Sequence, residues 1–182
     1  MRSMAMPRFP VGATLLATLL ALAVATGTQA QSGKPVRIVA LGASNTEGFG
    51  VSTWEAYPAR LQALLKARGI EAEVINAGMS GDTTAGMLAR LDAFMLDGTH
   101  LLILQPGTND SRYGLAAGTS GNVAKIKARL DERGIKLIVI DNAFLGTLPD
   151  TEMQPDGIHY TPAGYAILAE RLLPRVLAAL GR

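Results

Sequence analysis

Cysteine is absent from the 182 residues, and histidine occurs only twice, at His100 and His159. The first absence excludes a disulfide framework, a cysteine nucleophile, a thiolate metal site and a lipid carried on a cysteine. The second leaves no multi-histidine zinc site. There is also no block of like charges, no phosphate-binding loop and no Gly-x-Ser-x-Gly elbow. What the chain does have is 48% hydrophobic and 18% charged residues, the composition of a folded globular domain and not of a fibrous or disordered chain.

A net charge of +2 and a pI of about 9.1 would suggest a polyanionic partner if the positive charge lay on the folded domain. Its location argues otherwise. Arg2 and Arg8 precede an uncharged run from Val11 to Ala25 that is built of small and aliphatic residues, and Thr28-Gln29-Ala30 follows. A basic start, a short apolar stretch and a small-residue processing site are the marks of a cleavable export signal. The run is short of the roughly twenty residues needed to span a bilayer. Residues 1–30 are therefore read as a signal peptide and the product as secreted or periplasmic, with no stable membrane anchor after cleavage. Without Arg2 and Arg8, residues 31–182 hold 15 basic and 15 acidic side chains. A neutral domain lacks the field that phosphate binding requires, so nucleic acid is excluded as a partner.

Residues 31–182 read as one domain, with no linker or repeat to divide them. Short apolar runs at Val36–Leu41, Ala72–Asn76, Leu101–Gln105 and Ile135–Asp141 show no clean alternation, the pattern of strands covered on both faces. Amphipathic helical patterns separate them. One is Tyr57, Leu61, Leu64 and Leu65 ending at Gly69; another is Met87, Leu88, Leu91, Phe94 and Met95; a third is Val123, Ile126 and Leu130 ending at Gly134. A last helix starts at Thr161-Pro162, cap and first-turn proline, with Pro174 expected to kink it. Alternating strands and helices imply an α/β fold with a parallel sheet between helical layers. In such sheets chemistry gathers at the carboxyl ends of the strands.

At those ends stand Gly42-Ala43-Ser44-Asn45, Gly78-Met79-Ser80-Gly81-Asp82-Thr83 and Gly107-Thr108-Asn109-Asp110. Each alone is also what an ordinary strand-to-helix turn would use. Near the C-terminus lies Asp156-Gly157-Ile158-His159. A carboxylate three residues before a histidine can fix its tautomer and leave the other ring nitrogen as a general base. With Ser44 at a strand exit, the combination suggests acyl transfer through a serine nucleophile, with backbone N–H groups and an asparagine amide stabilising the oxyanion.

These four segments, in this order, resemble the blocks of the SGNH hydrolases, or GDSL-like lipases and esterases, in particular the secreted arylesterase and thioesterase/lysophospholipase branch. The resemblance spans nearly all of residues 31–182. It implies a three-layer α/β/α sandwich with a flavodoxin-like parallel sheet of four to five strands. It also implies Ser44 as nucleophile, His159 as base, Asp156 as its orienting carboxylate, and an oxyanion hole from the N–H groups of Ser44 and Gly81 and the amide of Asn109. No cofactor or metal is implied, and the partner is a small-molecule ester. Two departures stand out: Ala43 and Asn45 occupy the places of the family's aspartate and leucine, and only residues 142–155 separate the fourth strand from Asp156, where relatives commonly carry a further helix and strand. A sheet so shortened could be completed by a second copy, giving a homodimer.

Three functions follow as expectations. The first is hydrolysis of small aryl or acyl esters, extending to thioesters or lysophospholipids. The second keeps the mechanism and changes the substrate to O-acetyl groups on polysaccharides. The third is a non-catalytic binding module on a degraded hydrolase scaffold. Among lesser candidates, Ser80 is a rival nucleophile better suited to bracing its loop, and His100 lies at the end of the sheet opposite the site. Phe49 and Trp54 are equally suited to the substrate entrance or to packing, and Met79, Met87 and Met95 are expected to fill the core.

Overall fold

The computed structural model describes residues 34–182; the expected signal peptide lies outside the described residues. Strands β1 (Val36–Gly42), β2 (Ala72–Gly78), β3 (Thr99–Gln105) and β4 (Lys136–Val139) form one parallel sheet in the order β2-β1-β3-β4. This is the flavodoxin-like order, in which the chain reverses direction across the sheet between β1 and β3. All four strands fall where the apolar runs predict them. Among the described residues a fifth strand is absent, and the outer edge of β4 carries no strand partner. The other edge is partly closed by a side chain, because Gln62 Oε1 accepts the N–H of Val74 at 2.8 Å.

Successive residues of the central strands point to opposite faces, which explains why these strands show no polar face. Ile38, Ala40, Leu101 and Ile103 pack against α2 (Tyr57–Lys66) and α7 (Pro162–Leu180), through Leu61, Leu65, Leu168 and Leu172. Val39, Leu41, Leu102 and Leu104 face α3 (Thr84–Phe94) and α5 (Ala116–Asp131), through Met87, Leu91, Ile126 and Leu130. Fully buried aliphatic side chains of this kind each contribute about 1.5–3 kcal/mol of transfer free energy. The long helices follow the sequence pattern, and α7 begins as expected, with Thr161 Oγ1 accepting the N–H of Gly164 at 3.1 Å. It continues through Pro174 to Leu180.

Met87 and Met95 are buried as expected, but Met79 is 53% exposed. It lies beyond the end of edge strand β2, past the reach of either helical layer. Three helices of four or five residues, α1 (Ser44–Glu47), α4 (Thr108–Arg112) and α6 (Asn142–Leu145), follow the strand ends. A single turn is too short to leave a hydrophobic period in sequence. No helix among the described residues is long and apolar enough to cross a membrane.

Candidate active site

Each segment singled out in sequence arrives at the carboxyl end of the sheet. β1 ends at Gly42, where any Cβ would collide with Thr46 and Gln105, and Ser44 follows at the start of α1. Gly78, at the end of β2, is needed for the same reason: a side chain there would strike the backbone of Glu47. Gln105 closes the polar network beneath the loop, its Oε1 accepting the N–H of Ala43 at 3.3 Å and the hydroxyl of Thr46 at 3.1 Å. Ala43 itself is buried among apolar side chains.

The loop after β2 turns at Gly81, whose φ of +80° is open to glycine and strained for other residues. Ser80 is pinned on one side: its N–H and hydroxyl both donate to Glu47 Oε2, the former at 2.8 Å. That is the bracing role, and it leaves Ser80 without a histidine. On the other side Asp82 receives Arg90 Nε at 2.8 Å in a largely buried ion pair, and Arg90 Nη2 donates to the carbonyl of Gly42 at 3.1 Å. One guanidinium thus ties the Gly81 loop to the end of β1. From the third strand end, Asn109 is buried and donates from Nδ2 to the carbonyl of Asp82 at 2.8 Å, which leaves one amide hydrogen unused. Asp110 anchors α4 from below, its carboxylate accepting the hydroxyl of Thr84 at 2.6 Å and its N–H at 3.0 Å.

The fourth segment closes the site. Asp156 Oδ1 accepts the N–H groups of Ile158 at 2.9 Å and His159 at 3.0 Å, folding the loop into a tight turn. Its Oδ2 lies 2.5 Å from His159 Nδ1, and His159 Nε2 lies 2.8 Å from Ser44 Oγ. These bonds, led by the backbone N–H of His159, hold the Asp156 carboxyl down at a pKa of about 2. A permanently ionised Asp156 selects the tautomer with hydrogen on Nδ1, so the Nε2 lone pair faces the serine hydroxyl.

Ser44, Gly81, Asn109 and His159 together line a cleft of about 220 Å³, with Phe49 and Arg112 at its wall. Among the described residues neither the N–H of Ser44 nor that of Gly81 has a hydrogen-bond acceptor. Phe49 stacks on the His159 ring with centroids 4.5 Å apart, so it belongs to the site, whereas Trp54 is 70% exposed and is not among the cleft's lining residues. The contacts of Asn45, Glu47, Arg90 and Gln105 were not legible in sequence; only the departure at Asn45 marked one of them. No group of three or more His, Asp or Glu side chains among the described residues is placed to hold a metal ion.

Residues 40–154 match the family model of the GDSL-like lipases and acylhydrolases. The chain is 32% identical to Esterase TesA of Pseudomonas aeruginosa over 70% of its length and 63% of that protein. It is 27% identical to an arylesterase of Vibrio mimicus, over 69% of this chain and 62% of that protein. The chain therefore spans less than two thirds of these curated relatives. Among solved structures, a crystal structure of TesA superposes with a TM-score of 0.70 at 26% identity, covering 79% of this chain and 99% of that one.

Proposed function

The chain belongs to the GDSL-like lipase/acylhydrolase family, and on that premise we propose that it is a serine esterase that hydrolyses small carboxylic esters through an acyl-enzyme on Ser44. The observation that carries this reading is the unbroken chain of contacts Asp156–His159–Ser44, at 2.5 and 2.8 Å, beside a cleft. Ser44 Oγ attacks the acyl carbon while His159 Nε2 takes its proton. The carbonyl oxygen, now negative, is met by the N–H groups of Ser44 and Gly81 and by the free amide hydrogen of Asn109. His159 returns the proton to the leaving oxygen as the tetrahedral intermediate collapses. A water, activated by the same nitrogen, then releases the acid. Asp156 keeps its charge throughout and holds the imidazole in the productive tautomer.

A cleft of about 220 Å³ lies below the usual range for drug-sized ligands, which favours short acyl groups. Aryl esters fit the same reading. Thioesters and lysophospholipids are its extensions, since the attack on the carbonyl is unchanged. The small cleft also favours acetyl esters on polysaccharides, tested by acetate release from acetylated xylan or peptidoglycan. Export belongs to the reading too: the chain recovered outside the cytoplasm should begin near Gln31. The deciding experiment measures turnover of p-nitrophenyl esters of increasing chain length by the wild type and by Ser44→Ala. The expected result is a preference for short chains and loss of turnover in Ser44→Ala. Full turnover in Ser44→Ala, or none by the folded wild type, would overturn the proposal, the latter in favour of a binding module.

A further inference from the structure

Asn45 follows the nucleophile directly, is only 8% exposed, and has both ends of its amide engaged. Nδ2 lies 3.2 Å from the carbonyl oxygen of Ile158, which can only accept. That fixes the orientation of the amide, and Oδ1 then accepts the hydroxyl of Tyr165 at 3.1 Å. Tyr165 is fully buried in α7, and burial pushes its phenol pKa well up, so it stays a donor. Ile158 is the residue before His159. One side chain therefore joins the helix that carries the serine, the loop that carries the histidine and the longest helix of the domain.

The need for such a link follows from the short connection before Asp156. Between β4 and α7 the chain forms α6, a 3-10 turn at Asp150–Glu152 and a single bridge between Met153 and Tyr160, and no further strand. The histidine loop is held internally by Asp156 and by Gln154, whose N–H donates to the carbonyl of His159 at 2.7 Å. These bonds shape the loop without locating it against Ser44. Location comes from Gln154 Nε2, which donates to the carbonyl of Phe49 at 2.8 Å, from the Phe49 ring against His159, and from Asn45. Of these, Asn45 is the most buried, and its contact joins the residue after Ser44 to the residue before His159.

We infer that Asn45, braced by Tyr165, is a positioning residue that sets the distance between Ser44 Oγ and His159 Nε2. The inference rests on the esterase reading above. A displacement of an ångström between nucleophile and base costs on the order of a hundredfold in rate. It acts on proton transfer and not on substrate binding. Asn45→Leu keeps the branching of the side chain and removes both hydrogen bonds. The prediction is that kcat and the rate of Ser44 phosphonylation by a fluorophosphonate fall together by about 10- to 100-fold while KM stays within about twofold. Tyr165→Phe leaves the bond to Ile158 in place and should lower both rates by about three- to tenfold, again with KM unchanged. This variant carries the test if Asn45→Leu does not fold. Rates within twofold of the wild type in the folded variants, with only the melting temperature lowered, would overturn the inference and leave Asn45 a structural residue. A wild type that neither labels nor turns over esters would instead overturn the esterase reading, and this inference with it.

Discussion

The two histidines of the chain sit at opposite ends of the same strand layer and carry opposite protons. At the amino end of β3, where the pairing of β1 with β3 slips between Arg37 and Ile38, His100 Nδ1 lies 3.2 Å from the N–H of Arg37 and accepts it. Its hydrogen is therefore on Nε2, toward solvent. At the carboxyl end, His159 gives its Nδ1 hydrogen to Asp156 and turns the Nε2 lone pair to Ser44. The cavity beside His100 is the larger, about 610 Å³ against 220 Å³, and is bordered by Lys34, Arg37 and Asp97. Neither the residue type nor the volume of the neighbouring cavity makes a site. A histidine becomes a base when a carboxylate fixes its far nitrogen and a hydroxyl waits at the near one.

The difference between the two histidines depends first on the carboxylate. Asp156→Asn should leave the loop folded and lower kcat by on the order of 10⁴, because the amide can hold the imidazole with its hydrogen on Nε2, the state of His100. In the wild type, Asp156 stays ionised down to its pKa of about 2, so the acidic limb of the rate profile should not follow this group. The sign of the stability effect follows from the lowered pKa: the stabilisation is complete above the unfolded carboxyl value of about 4 and is lost as pH falls toward 2. The carbon-13 NMR shift of the Asp156 carboxyl carbon in a pH titration checks the value. The next break is at the oxyanion, where Asn109→Ala should cost about 10²–10³ in kcat with a smaller change in KM. The smallest effect is the control at the other histidine: His100→Gln should leave kcat/KM within about twofold, since the rate terms all lie at the opposite end of the sheet.

Much of this arrangement is legible in the residues. Val36, Leu101 and their neighbours announce buried parallel strands, Thr161-Pro162 announces a helix start, and Asp156 and His159 stand close enough in sequence for their contact to follow from local geometry. What sequence does not show is contact between segments far apart. The link from Asn45 to Ile158 and Tyr165 spans more than a hundred residues, and no local pattern announces the contact. Phe49 over His159 and Arg90 under Gly42 are hidden for the same reason. Met79 misleads because an apolar residue in a run of turn residues has no period to say which way it faces, and at the sheet's edge it faces water.

The proposed acyl-enzyme forms on Ser44 and on no other hydroxyl. Treating the folded protein with a fluorophosphonate and mapping the adduct by peptide mass spectrometry identifies the nucleophile. The expected result is one adduct per chain, on the peptide carrying Ser44, and none in Ser44→Ala. An adduct on Ser80, or an unlabelled Ser44 in protein that still hydrolyses esters, would rule Ser44 out as the nucleophile.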